Sequence, residues 1–238
     1  SIDTTGQRNL TISGELDAAT LDISGDADID GTMEADDYTL GGSAFIKLAG
    51  TNFANSILIG HTTTGTLSSA SYNTILGFAA GDAATSLEGC TLVGYNAGGA
   101  MTSSADSVAI GKDAAATGTT GMTSSVAIGR NAAYTTNAAN NVAIGRDSLY
   151  YTTGLNNTVV GSGAAQGASS SSYNYNSIFG KAAAAAITTG GYNTCLGYTA
   201  GDNLTSGSGN VMIGDVSAAS ATGSRQLKIV GYDGSTTT

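Results

Sequence analysis

The sequence has no proline and no tryptophan, a single histidine and only two cysteines. These scarcities close off classes of function. One histidine, His61, with no activating sequence beside it, leaves no Ser-His-Asp triad to argue for. Two cysteines do not make a disulfide framework. Charged residues are 11% of the chain and the net charge is −10, which argues against a nucleic-acid partner. No apolar run reaches the length of about 18 residues that marks a membrane span, so no membrane insertion is expected. No secretory n-region and h-region pattern opens the sequence as it stands.

Glycine is abundant, 35 of 238 residues, and Ala, Ser, Thr and Asn fill much of the rest. Such a composition suits either a flexible linker or a repetitive β structure with small residues in its turns. Periodicity decides between them. The stretches "SVAIGKDAA" (107–115), "SVAIGRNAA" (125–133) and "NVAIGRDSL" (141–149) are nearly the same text. Aligned on the glycine that closes each apolar triplet, the chain shows ten repeats, at Gly60, Gly77, Gly94, Gly111, Gly129, Gly145, Gly161, Gly180, Gly197 and Gly214. The steps run from 16 to 19 residues, and "KIVG" at Gly231 reads as an eleventh.

The residues one and two places before the glycine are apolar in all ten repeats. Three places before, Ile, Val or Thr occurs in nine of ten, with Ser177 the exception. A short β-branched run closed by glycine predicts a strand. Three places after the glycine the residue is always small, as at Ala97, Ala132 and Ala183, which marks a tight inner corner. A larger apolar residue often returns four places later, at Leu67, Met101, Ile187 and Leu204, and predicts a weaker second strand. One coil of a parallel β-solenoid fits such a unit, and nine steps of about 4.8 Å stack it into a rod of roughly 43 Å.

Oligomeric state follows from the two adjacent apolar columns. Neighbouring side chains of a strand point to opposite faces, so both faces need cover. One looks into the coil. The other has no helix or second domain to cover it, and a bare apolar stripe of that length invites aggregation. Self-association as a cyclic homotrimer of parallel solenoids is the expectation.

"NSILIG", "SVAIGKDAAA" and "NVAIGRDSL" resemble the head repeats of trimeric autotransporter adhesins, the YadA-like left-handed parallel β-roll, and equally the "NTAVG"-type repeats of phage tail fibres. The resemblance covers about residues 55–217. The repeats here are longer and less regular than the adhesin form, and no coiled-coil stalk or membrane anchor follows in the sequence, which favours the tail-fibre relatives. The resemblance implies left-handed coils. It also implies a structural fibre segment of a virion tail that serves host-cell attachment. Its partners would be other tail or fibre proteins and a host-surface glycan or protein receptor. A bacterial cell-surface adhesin or extracellular filament subunit of the same fold is the alternative.

Residues 1–37 hold ten of the eighteen carboxylates against one base, Arg8. "ISG" recurs at Ile12–Gly14 and Ile23–Gly25, and apolar residues alternate with polar ones, a half-buried strand pattern. The expected organisation is an acidic β stem over 1–41, resembling the shaft repeats of phage fibres, then a joint over 42–54. The β-roll domain covers 55–220, and a terminal coil and tail 221–238. "DADIDGTMEADD" places Asp26, Asp28, Asp30, Glu34 and Asp37 at the spacing of a calcium loop, with Gly31 at its turn. No flanking helices are evident, so a strand with Asp on its wet face competes with calcium as the one candidate cofactor.

Three copies of His61 meeting on a trimer axis could hold a metal or anion; a surface or packed histidine is the plainer reading. Lys112, Arg130, Arg146 and Lys181 each follow a repeat glycine directly, and Phe78, Tyr95 and Tyr198 share that position. They read either as a stripe for sulfate or acidic glycans or as a solvated face with weak ion pairs. Cys90 and Cys195 stand six coils apart, roughly 29 Å, too far to pair within one chain. Acids are scattered singly over 38–238, without the local carboxylate pair of a glycosidase, and no enzyme is expected.

Overall fold

The computed structural model describes residues 37–40, 43–50, 52–60, 68–119, 122–135, 137–169 and 171–231. Fourteen strands and no helix occur among them. The first three, β1 (Asp37–Leu40), β2 (Ser43–Gly50) and β3 (Phe53–Ile59), form an antiparallel meander. From β3 onward the sheet is a parallel solenoid. β4 (Ala70–Ser71) pairs β3 beside the main path. The path continues through β5 (Thr74–Leu76), β6 (Thr91–Val93), β7 (Val108–Ile110), β8 (Val126–Ile128) and β9 (Val142–Ile144). It ends with β10 (Thr158–Val160), β11 (Ser177–Phe179), β12 (Thr194–Leu196), β13 (Val211–Ile213) and β14 (Leu227–Ile229). From β5 onward each strand pairs with the next in sequence, so neighbours in the sheet are one coil apart.

The apolar triplets become these three-residue strands, and the register stacks like on like: Val126 on Val142, Ala127 on Ala143, Ile128 on Ile144. The middle residue points inward. Leu58, Ile75, Leu92, Ala109, Ala127, Ala143, Val159, Ile178, Cys195 and Met212 are all buried. The small corner residues are buried from Ala80 to Ala200, and Met101, Ile187 and Leu204 fill the interior from the far side. A further inward column lies seven residues before the glycine, where Ala70, Leu87, Met122 and Tyr173 widen the core coil by coil.

Two sequence expectations change. Leu67 lies outside the described residues; among those described, the second strand of each coil survives only as β4 and the single bridges Ser71–Glu88 and Glu88–Ala105. Later coils carry Gly at several of the inward positions on that side, and turn there instead. The eleventh repeat is also displaced by one residue. Leu227 pairs with Val211, Lys228 with Met212 and Ile229 with Ile213, so Val230, not Gly231, stands where a glycine stood before. Lys228 therefore takes the inward position. Its ammonium donates to the Ser217 carbonyl at 3.0 Å, which ends the apolar interior with a charge.

The turns depend on left-handed backbone. Five residues before the glycine, φ is positive in every described coil, from Asn55 through Asn140 and Asn156 to Arg225. Two residues after it, Asn96, Asp113, Asn131 and Asp147 are also left-handed, a conformation that Asn and Asp tolerate best. Leu149 adopts it as well, with φ +50, and offsets the strain by complete burial.

Candidate functional surface

Among the described residues no three His, Cys, Asp or Glu side chains gather as a metal site. His61, Asp26, Asp28, Asp30 and Glu34 lie outside the described residues; Asp37 belongs to β1, where its backbone pairs with Lys47. Four features repeat along the rod.

The first is the glycine column. All ten repeat glycines have positive φ. At Gly129, φ is +127, and a Cβ would stand 2.7 Å from the carbonyl carbon of Gly145 and 2.8 Å from its oxygen. Gly60, at the first coil, is looser, with nothing nearer than 3.7 Å.

The second is an amide ladder that the triplet alignment passes over. The residue four before the glycine is Ser56, Asn73, Cys90, Ser107, Ser125, Asn141, Asn157, Asn176, Asn193 and Asn210 in turn. Every member is buried. Asn193 Oδ1 accepts from the backbone N–H and the side-chain amide of Asn210, each at 2.9 Å. Its Nδ2 donates to Asn176 Oδ1 at 3.0 Å and to the Gly207 carbonyl at 3.0 Å. Gln226 extends the ladder and closes it on Asn210 and Gly223. The signal was visible as the Asn of "YNTILG", "NNVAIG", "NNTVVG" and "YNTCLG". At Cys90 the ladder thins: Sγ reaches the Glu88 and Ser104 carbonyls only at 3.5 Å, and the Ser104 hydroxyl is buried without a partner among the described residues. Burial pushes the Cys90 thiol up, despite backbone hydrogen bonds that act the other way.

The third is the outer face of the strands. The residue directly before the glycine points out of the coil in every repeat. Leu76, Phe179 and Leu196 are 45%, 40% and 50% exposed, and Val93, Ile128, Val160 and Ile213 are half-buried. In β7, β8 and β9 the outward residues are Val and Ile throughout, a flat β-branched surface.

The fourth is the column after the glycine. Phe78 stacks on Tyr95 with centroids 5.9 Å apart, Lys112 lies over Tyr95 at 5.4 Å, and Lys181 over Tyr198 at 5.8 Å. Lys112 pairs with Asp113 at 2.6 Å and Arg146 with Asp147 at 3.3 Å. Partial burial raises the Asp113 carboxyl, but hydrogen bonds from Lys112 and Asn96 outweigh it and hold the group below its ordinary value. Lys112 and Arg146 thus pair with the residue that follows each in its own coil, and exposed pairs of this kind contribute little to stability.

Set against family models, curated proteins and solved structures, the chain has no match.

Proposed function

We propose that this chain is a structural segment of a trimeric fibre, carried on a phage tail and serving host-cell attachment. The observation that carries the reading is the unbroken outward apolar column from Leu76 to Ile213 on a coil whose own core is already closed. An exposed apolar stripe on every coil needs a partner of the same length and period. A second and third copy of the same rod supply both, because every coil presents the same column at the same height. The amide ladder and the glycine column suit a load-bearing rod: each coil bonds to the next along its whole contour. Purified chain should sediment at three times its 23.3 kDa. Antibody against it should decorate tail fibres in electron micrographs of virions. A monomer at micromolar concentration rejects the trimer. Decoration of bacterial surfaces in place of virions moves the protein to the adhesin alternative.

A further inference from the structure

The left-handed position five residues before the glycine is occupied by Asn, Asp or Gly in most coils, the residues that tolerate it. Five residues depart from that pattern: Tyr72 at φ +59, Ser124 at +53, Tyr175 and Tyr192 at +58 and Arg225 at +57. Leu149 offsets the same strain by burial, whereas Tyr72 and Tyr192 remain 62% and 67% exposed.

The neighbours of Tyr192 set it apart. Tyr175 and Tyr192 stack face to face, with centroids 4.9 Å apart and planes within 10°. One coil further on, the same position is Gly209, with no side chain; one more, and it is Arg225, left-handed at φ +57. The column is continuous here: the N–H groups of Tyr192, Gly209 and Arg225 each bond to the preceding coil, at 3.1, 2.9 and 2.9 Å. Gly209 thus leaves a side-chain gap one coil high between Tyr192 and the exposed Arg225, and only Arg225 comes within 4 Å of a Cβ built there. A flat ring at the level of Gly209 would extend the tyrosine stack at its existing spacing. Arg225 flanks that gap closely: its Cγ would stand 3.6 Å from a Cβ on Gly209, and its side chain makes no ion pair among the described residues.

We propose that Tyr192, Gly209 and Arg225 form a slot for one acidic sugar ring, a hexuronate within a host-surface polysaccharide. A pyranose ring presents axial C–H bonds to an aromatic face, and the guanidinium takes its carboxylate in a two-pronged hydrogen bond. Tyr72, Gly89 and Asp106 repeat the arrangement near the other end, but there the Asp106 carboxylate lies 2.9 Å from a Cβ built on Gly89 and occupies the gap. That second slot is closed and has the wrong sign for an anion. The slot rests on the attachment reading, and its test is independent of the trimer.

The probes are tetragalacturonate, its fully methyl-esterified form and free galacturonate, titrated calorimetrically into the full 238-residue chain. Tyr192→Asn, Gly209→Asn and Arg225→Asn all place a residue that accepts left-handed backbone, so the fold should persist, with melting temperatures at or above wild type. Tetragalacturonate should bind wild type in about the millimolar range, and each variant should lose about tenfold or more. Tyr72→Asn should bind as wild type does. Absence of heat with wild type, or undiminished binding by Gly209→Asn, overturns the slot. Equal binding of the methyl ester overturns the acidic class, and binding of free galacturonate without the tetramer overturns the polysaccharide source. Sedimentation on the same samples reads the trimer separately, so a monomer that binds rejects the assembly and keeps the slot.

Discussion

Asn157 gives both its backbone N–H and its side-chain amide to one atom of Asn141, the Oδ1 oxygen one coil below, at 2.9 and 3.1 Å. The same relationship repeats from Asn157 to Asn176, Asn193 and Asn210. A column of buried amides of this kind holds the coils in register, because a slip by one residue would strand every member without its partners.

Asn193→Leu keeps the volume and removes the hydrogen bonds. It leaves the Asn210 N–H, the Gly207 carbonyl and Asn176 Oδ1 short of partners inside the rod. The expected loss is about 2–4 kcal/mol, from at least two buried groups at roughly 1–3 kcal/mol each. Urea denaturation checks it; a loss below about 0.5 kcal/mol would mean that water replaces the ladder.

Gly129→Ala should be among the costliest single changes. It places a Cβ against the Gly145 carbonyl and forces an L-residue to φ +127. A penalty of about 3 kcal/mol or more is expected. Gly231→Ala, with nothing within 4 Å of its would-be Cβ, should leave the melting temperature unchanged.

Ile144 and Ala143 are neighbours on opposite faces of β9. Ala143 is fully buried in its own coil, so a charge there attacks the fold. Ile144 is 36% exposed on the outer face. Ile144→Asp should therefore leave the circular dichroism of each chain intact and dissociate the proposed trimer in sedimentation, whereas Ala143→Asp should unfold the coil itself. A trimer undisturbed by Ile144→Asp locates the interface elsewhere.

Burial pushes the Cys195 thiol up to about 12. The folded thiol thus ionises at a higher pH than the unfolded one, whose pKa is about 8.5. The stability it contributes is complete below the unfolded value and is lost as pH rises toward the folded one. Melting temperature should fall between about pH 9 and 12. Cys195→Val, which imitates Val159 in the same column, should make that fall shallower. Tyr173, whose hydroxyl is also raised by burial, steepens the same alkaline limb. Neither Cys90 nor Cys195 should react with iodoacetamide until the chain is unfolded.

Ser104→Ala removes a buried hydroxyl that has no partner among the described residues. A gain of about 1 kcal/mol in denaturant unfolding is expected, since the desolvation cost disappears with the group. A loss of stability would show that the hydroxyl is satisfied in solution.

The period, the strand triplets and the glycine corners were legible in the sequence because each follows from local rules that the chain restates at every coil: β-branched residues extend, glycine turns, small residues let the corner close. Those rules gave the solenoid and the two-faced strand. What one residue does to its neighbour in space was harder to read, because the neighbour stands 16–19 residues away and the step varies. The alignment placed the last repeat on Gly231; pairing of Leu227 with Val211 moved it to Val230 and turned Lys228 inward. Asn was visible before many triplets, but only stacking showed that each one bonds to the next. Tyr192, Gly209 and Arg225 look unrelated along the chain and become one slot when coils lie in register. What a coil is can be read along the chain. What lies above and below each residue emerges on folding, because the hydrogen bonds that set register run between coils and their partners are chosen by stacking.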